Sequence, residues 1–452
     1  MPLDQPLPRR LLREIFSHPI RSIEHVDESG ALSPHRPFSG VIDGPAVLCV
    51  VPGGVVPIDR GARRRIFELT LHLNRAGIRT HLLIGALGSR RRSRSESTLT
   101  AIAPAVHTYR KLTPPLPWRL RMRREAERAY RLVHGSFRRG PDLFVDRLAT
   151  RAAGDGVRRL RDLLATGRYA HVIVNYAWMT GMVDAVREAF PSVKWICDTH
   201  DVQFVRNRAL SPHASRLWIA PDEERLAELR ALRTYDRVLA ISESDRAELT
   251  AHLPDKSVMS TPAGVDYAYL PMPGTPKSAP FAYAFIGWKM SANVSALDLL
   301  VREWWPEILR ISPGSRLNVA GRICKRTAAK KLVRDQIGVR MHGFVPSLAS
   351  FYESVDVVLN PVMVQGGLNF KSVEALAAGR LLITNSVGAR CLGAGAPVVV
   401  ADSGESLALQ LETLIADPAA MHVRRREGQE WALDRFGEES AYRGLRELLR
   451  QQ

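Results

Sequence analysis

The chain has 452 residues, too many for one ordinary core, so two domains are expected. It is 45% hydrophobic with four widely spaced cysteines, and it lacks the ~18-residue apolar run of a membrane span, which excludes a transmembrane protein, a disulfide-framed secreted domain and a cysteine metal cluster. The net charge of +18 directs attention to acidic partners, whether nucleic acid, anionic lipid or an anionic sugar substrate.

The first residues, Met1-Pro2-Leu3-Asp4-Gln5-Pro6, lack the apolar region of a secretory signal. With Cys49, Cys197, Cys324 and Cys391 reading as small core residues, a reducing, cytoplasmic setting is expected. Residues 1–43 show little periodicity and read as an irregular lead-in. The run Ala46-Val47-Leu48-Cys49-Val50-Val51 predicts a buried strand, and Pro52-Gly53-Gly54 and Asp59-Arg60-Gly61 a turn-rich loop. A helix is predicted over 62–76, where Ile66, Leu69 and Leu73, joined by Phe67, recur at helical spacing. A second strand follows at 80–84. This opening is that of a doubly wound α/β domain, but it carries no G-x-G-x-x-G, so a dinucleotide is not indicated.

From 110 to 139 there are ten Lys or Arg against Glu125 and Glu127, a local balance of +8. Trp118, Leu120 and Met122 are interleaved with them. A basic helix with interfacial aromatics suits an anionic membrane surface, Trp118 being the anchor and Arg121, Arg123 and Arg124 the headgroup contacts. The plainer reading is a solvated arginine face over a helix–core contact.

Strands are predicted at 171–176 and 194–198, with a helix between them. Thr199-His200-Asp201 stands at the carboxyl end of the second, where a histidine is either a hydrogen-bonded turn residue or a site residue. Strands at 237–242 and 257–260 complete the first sheet, and Pro271, Pro273, Pro276 and Pro280 mark a linker. The second half repeats the plan. Its strands are expected at 283–287, 316–322 (strand and turn), 339–345, 357–361 and 381–384, with helices over 293–310 and 348–354. The stretch Gly366-Gly367-Leu368-Asn369-Phe370-Lys371-Ser372-Val373-Glu374-Ala375-Leu376-Ala377-Ala378-Gly379 lies between the last two strands. Its glycines let the backbone approach a ligand, and the N–H groups at the helix start favour an anion. Lys371 adds a mobile positive charge, and Glu374, one turn later, can face the same crevice. A solvated surface pair is the bland alternative. Two such halves facing a cleft suit a sugar nucleotide.

Several further pieces stand in order along the chain: Ala240-Ile241-Ser242, Pro262-Ala263-Gly264-Val265-Asp266, Phe285-Ile286-Gly287, Val319-Ala320-Gly321 and His342-Gly343-Phe344-Val345. With Thr199-His200-Asp201 and the stretch from Lys371 to Gly379, the chain from Ala46 onward resembles the GT-B-fold glycosyltransferases. The resemblance is to the large retaining class that includes the glycogen and sucrose synthase relatives (family 4, group 1). It implies an α/β fold of two Rossmann-like doubly wound domains around a central cleft. The first would be an acceptor domain over 44–262, completed by a C-terminal helix at 438–452. A linker over 263–280 and a nucleotide-sugar donor domain over 281–437 would follow.

The resemblance gives Glu374 the donor's ribose hydroxyls and places Lys371 near the diphosphate. Gly343, Phe344 and Val345 would take the nucleobase, and Gly321 and Arg322 would border the nucleoside. His200, Asp201, Arg60 and Gly61 would line the acceptor side of the cleft, His200, Lys371 and Glu374 being the catalytic set. The sequence departs from the family in two places. Gly366 stands where the first Glu of an E-x7-E pair belongs, leaving sugar contacts to the backbone of Gly367 and Leu368. Gly287-Trp288-Lys289 stands where the family carries an Arg and a Lys. The implied partners are a nucleotide-diphosphate sugar, as substrate with no further cofactor or metal, and a glycan or lipid-linked acceptor of bacterial envelope or polysaccharide synthesis, on the inner membrane face. Two other readings stand beside this one: an inactive sugar-nucleotide-binding GT-B scaffold, and a basic nucleic-acid-binding protein, for which no recognised module is found.

Overall fold

The computed structural model describes residues 46–55, 61–86, 99, 102–110, 122, 125, 144, 147–148, 155–210, 221–264, 279–345, 347–363 and 368–451. Seven strands form a first sheet: β1 (Ala46–Val51), β2 (Thr80–Ala86), β3 (Val106–Arg110), β4 (Tyr169–Asn175), β5 (Lys194–Asp198), β6 (Arg237–Ala240) and β7 (Ser257–Ser260). Six form a second: β8 (Ala282–Ile286), β9 (Arg316–Ala320), β10 (Val339–Gly343), β11 (Val357–Leu359), β12 (Leu381–Thr384) and β13 (Val399–Val400). The helices that matter below are α1 (Gly61–Arg75), α2 (Gln203–Leu210), α3 (Ser291–Leu299), α4 (Phe370–Ala377), α5 (Pro418–Phe436) and α6 (Glu438–Arg450).

Every strand pairing is parallel. The strand orders are β3-β2-β1-β4-β5-β6-β7 and β10-β9-β8-β11-β12-β13. Both reverse once, between β1 and β4 and between β8 and β11, and at such a switch point the loops leaving the carboxyl ends diverge and open a crevice. A parallel sheet is covered by helices on both faces, which explains why β1 and β12 read as unbroken apolar runs and are buried throughout.

The predicted helix over 293–310 is one helical stretch in three parts: α3, a π-helical segment Leu300–Trp304, and a helix Trp305–Ile311. Pro306 has no N–H to give back to the preceding turn, and the wider π turn just before it accommodates the ring. Two strands were not legible. Edge strand β3 mixes His107, Thr108 and Arg110 with its apolar residues, and β13 is only two residues long. The single helix expected between β4 and β5 is instead three short turns, Ala177–Met179, Thr180–Asp184 and Arg187–Ala189.

Helix α6 packs Ala441, Tyr442, Leu445 and Leu449 against Val47, Ile173, Ile196 and Leu239 of the first sheet. The Tyr442 hydroxyl donates to the Gly264 carbonyl at 3.2 Å. The chain's end therefore returns to the domain where it began. All four cysteines are buried and unbridged. Among the described residues no helix is long and apolar enough to cross a membrane.

Candidate active site

The site is built where the carboxyl ends of the two sheets meet. On the second domain, α4 begins directly below β11 and is fixed at both ends. The Asn360 amide, just past β11, donates to Ser372 Oγ at 2.7 Å, while Thr384 Oγ1 donates to the Asn360 carbonyl at 2.7 Å. At its C-terminus the exposed carbonyls are taken by α5: Arg425 Nε donates to Gly379 O and Gln429 Nε2 to Ala377 O, each at 2.8 Å. A cation at that end also complements the helix dipole. Helix α4 is thereby held with its N-terminus toward the cleft.

Lys371 in its first turn is tethered, contrary to the mobile charge expected. Its Nζ donates to Asn293 Oδ1 at 2.8 Å and lies 5.2 Å from the Phe285 ring centroid. Burial of the ammonium brings its pKa down to about 8, the Glu374 carboxylate only partly opposing this. Asn293 in turn donates to the Trp288 carbonyl at 3.0 Å, so one asparagine joins α3, the loop after β8 and the lysine.

The loops after β8 and β9 are locked together. Gly321 has φ 94°, and a Cβ there would overlap the Gly287 carbonyl oxygen, so only glycine fits. Ile323 N–H donates to that same oxygen at 3.0 Å. The Arg322 guanidinium lies 4.6 Å from the centroid of the Trp288 ring. Lys289 is exposed. Beyond β10, Phe344 is 40% exposed, a large apolar side chain left open beside Gly343 and Val345. Leu368 stands just before α4. Gly321 N–H also donates to the Gly343 carbonyl at 2.6 Å, so the loops after β8, β9 and β10 are joined at the carboxyl ends of their strands. Arg60, Gly366, Gly367, Trp118, Arg121, Arg123 and Arg124 lie outside the described residues.

The first domain answers with arginines. Arg64 and Arg65, in the first turn of α1, are both buried. Arg65 turns inward, its Nε donating to both Asp198 oxygens at 2.9 and 2.8 Å and its Nη1 to the Thr261 carbonyl at 2.6 Å. Burial alone would raise the Asp198 carboxyl, but Arg65 and His200 hold it below the usual carboxylate range. Arg64 turns outward across the cleft and forms an ion pair with Glu374. Its guanidinium also lies 5.9 Å from the Phe370 ring centroid, and that ring packs on Gly61, where a Cβ would come within 3.0 Å of it.

Beside this pair, His200 and Tyr176 are the two non-glycine residues with left-handed backbones among the described residues, at φ 65° and 75°. Their rings stack at 4.2 Å, and Trp178 stacks on Tyr176 at 5.1 Å. Such conformations persist where the surroundings hold them, often at functional sites. His200 Nε2 is 2.8 Å from Asn175 Oδ1. Asn175 Nδ2 donates to the Val50 carbonyl at 3.0 Å, so its Oδ1 is the acceptor and the imidazole proton sits on Nε2. Burial lowers the His200 pKa, with Asp198 offsetting it only in part, so the ring is neutral and Nδ1 is left as an acceptor without a hydrogen-bond partner among the described residues. Asp201 is ion-paired to Arg206 at 2.5 Å.

Residues 281–417 match the family model described as Glycosyl transferases group 1. The matched region is the whole of the second sheet with α4 and its neighbours. Solved structures with the same two-domain arrangement include sucrose-phosphate synthase from Thermosynechococcus elongatus, 16% identical with a TM-score of 0.62, covering 90% of this chain and 98% of the other. HepE of Anabaena in complex with UDP and glucose is 13% identical with a TM-score of 0.55, covering 90% of this chain and all of the other, 100%. A glycosyltransferase from Rickettsia africae is 12% identical with a TM-score of 0.59, covering 90% and 98%. The fold is GT-B. No curated protein matches the chain.

Within the GT-B frame, contacts link Gly287, Trp288, Gly321, Arg322, Gly343 and Lys371 of the residues named from sequence on the second domain. The first-domain partners were not foreseen: Arg64, Arg65, Asn175, Tyr176 and Asp198, to which Asn293 of the second domain is added. One signal was available, since Arg65 stands four and eight residues before Leu69 and Leu73, a charge in the apolar stripe of α1. A separate group able to hold a metal ion, His72 with Glu438 and Glu439, sits where α1 meets α6. Arg75 at 3.8 Å from Glu438 and Arg446 on Glu439 already compete for those carboxylates.

Proposed function

We propose that the protein transfers a sugar from a nucleotide-diphosphate sugar to a glycan or lipid-linked acceptor, with the donor held by the second domain. One observation carries this reading. Lys371 and Glu374 stand together at the start of α4 below the second switch point, and Glu374 meets an arginine from the opposite domain. A carboxylate there accepts hydrogen bonds from ribose hydroxyls, while Lys371 and the positive end of the α4 dipole face the diphosphate. Phe344 offers an apolar surface to a nucleobase.

In the proposed reaction the bond between the anomeric carbon and the diphosphate oxygen breaks, and its electron pair leaves with the phosphate. The acceptor hydroxyl oxygen bonds to that carbon and gives up its proton. Lys371 and the helix start stabilise charge building on the leaving group, the part a divalent ion plays elsewhere. Among the described residues near the cleft, Asp198 is held below the usual carboxylate range by Arg65 and His200, which makes it a poor base, while Asp201 and Glu374 are engaged in ion pairs with Arg206 and Arg64. The departing phosphate oxygen is then the proton acceptor, on the face the leaving group vacates, and the configuration is retained. The HepE structure in complex with UDP and glucose is consistent with a nucleotide donor on this fold.

Thermal shift against a panel of nucleotide sugars, followed by transfer assays with the one that stabilises, tests the reading. Stabilisation of the wild type and none of Glu374→Ala is expected. A panel in which no nucleotide sugar moves the melting temperature counts against it, and an inverted product anomer by NMR counts against the proton route.

A further inference from the structure

We propose that Arg64 is a positioning residue supplied to the donor carboxylate from the opposite domain, so that closing the cleft and binding the donor are one coupled event. The inference rests on the donor reading above and names a residue that reading does not need.

Arg64 lies in the first turn of α1, which contains no acidic residue, and a cation there opposes the helix dipole. It is also 2% exposed. A buried guanidinium at the wrong end of a helix is kept only if its surroundings compensate it. The other domain contributes to that compensation through the Glu374 carboxylate and the face of Phe370, and Glu68 on its own helix lies at 3.7 Å.

The neighbouring residue explains how Arg64 is aimed. Arg65 fastens the same helical turn to Asp198 at the end of β5 and to the Thr261 carbonyl beyond β7. The backbone at Arg64 is therefore fixed to its own domain while its side chain reaches out of it. Gly61, one turn earlier, supplies the close approach that lets Phe370 lie against α1. Three contacts thus join the first turn of α1 to α4: Arg64 with Glu374, the carboxylate assigned to the ribose, and Arg64 and Gly61 with the Phe370 ring.

The ion pair uses Glu374 Oε1. A carboxylate has about four lone-pair sites, so Oε2 remains to accept from two ribose hydroxyls. When the cleft opens, Arg64 withdraws with α1 and the carboxylate loses the group that orients it. Closing restores both, and by linkage whatever favours the closed form favours the donor to the same degree.

The test uses two readouts on the full chain. The first is interdomain distance without ligand, from spin labels on exposed residues of the two domains, in wild type, Arg64→Ala, Glu374→Ala and the double variant. Each single variant is expected to shift the distance toward the open form, and the double variant no further than either. The second is affinity for UDP, GDP and ADP. Arg64→Ala is expected to weaken the best of these about 10- to 100-fold, as loss of a charge-assisted contact does. The charge swap Arg64→Glu with Glu374→Arg should restore the closed distance but not the affinity. Distances and affinity unchanged in Arg64→Ala overturn the proposal, and so does tighter binding, which would make Arg64 a blocker of the carboxylate. If the wild type binds none of the three nucleotides while its closure still depends on the pair, the donor reading falls. Arg64 is then an interdomain strut with no role in binding.

Discussion

The two edges of the cleft are built by different means. On the second domain the loops are shaped by glycines with positive φ at Gly321 and Gly343, and by backbone groups, around the single asparagine-tethered lysine. On the first domain they are shaped by buried ion pairs and by two non-glycine residues, His200 and Tyr176, held in left-handed conformations. A glycine turn is a local device, specified by a few neighbouring residues. Charge pairs such as Arg65 with Asp198 join positions far apart in the chain. The first edge is thus the more fragile to substitution, and the second the more dependent on ligand for its purpose.

The largest expected effect is on the fragile side. Arg65 and Asp198 are both fully buried, and removing one partner leaves an uncompensated charge. Asp198→Ala should destabilise the first domain by about 3–5 kcal/mol, read by denaturant unfolding, with the second domain's transition unmoved. A loss under about 1 kcal/mol would mean that water reaches the pair. On the second side, Glu374→Ala should abolish transfer and cost less stability than Asp198→Ala, because opening of the cleft returns the Arg64 guanidinium to water. Unchanged kinetics would remove Glu374 from the site.

His200 sharpens the contrast, because its backbone and its ring are separable. His200→Gly should be more stable than His200→Ala by roughly 1 kcal/mol, since alanine keeps the left-handed strain and glycine does not. Both should lower kcat more than donor affinity if the ring acts on the acceptor side. Equal stability of the two would show that the backbone there relaxes.

A smaller effect follows from Lys371. Its pKa of about 8 is below the ordinary lysine value because burial disfavours the ammonium. Below pH 8 the free protein already carries the charge a diphosphate needs. Above it, binding must first take up a proton, so affinity should fall by up to tenfold per pH unit between about 8 and 10, with proton uptake seen by calorimetry in buffers of different ionisation enthalpy. Lys371→Arg, charged throughout, should flatten the profile. A wild-type profile flat across this range would place the lysine away from the diphosphate.

The same contrast explains what the sequence disclosed. Periodicity and apolar runs announced the two parallel sheets, because burial on both faces leaves a continuous imprint in strands such as β1 and β12. The Lys371–Glu374 constellation was legible because strand, turn and helix are contiguous. The partners of those residues were not: nothing local in Arg64 says that it reaches Glu374, 310 positions away. Asn293 was hidden for the same reason, its link to Lys371 spanning 78 positions. Lys371 read as mobile because a lysine in a first helical turn usually is, and only the packing of Phe285 and Asn293 beside it shows otherwise. The stretch around Trp118 and the glycines at 366 and 367 lie outside the described residues.

The most direct test of the central claim is hydrogen–deuterium exchange of the full chain with and without the nucleoside diphosphate that stabilises it best. New protection is expected at 343–345 and 368–374 of the second domain, with a smaller change over 61–65 as α1 closes on the site. Protection confined to the first sheet, with those second-domain segments exchanging as in the free protein, would contradict it.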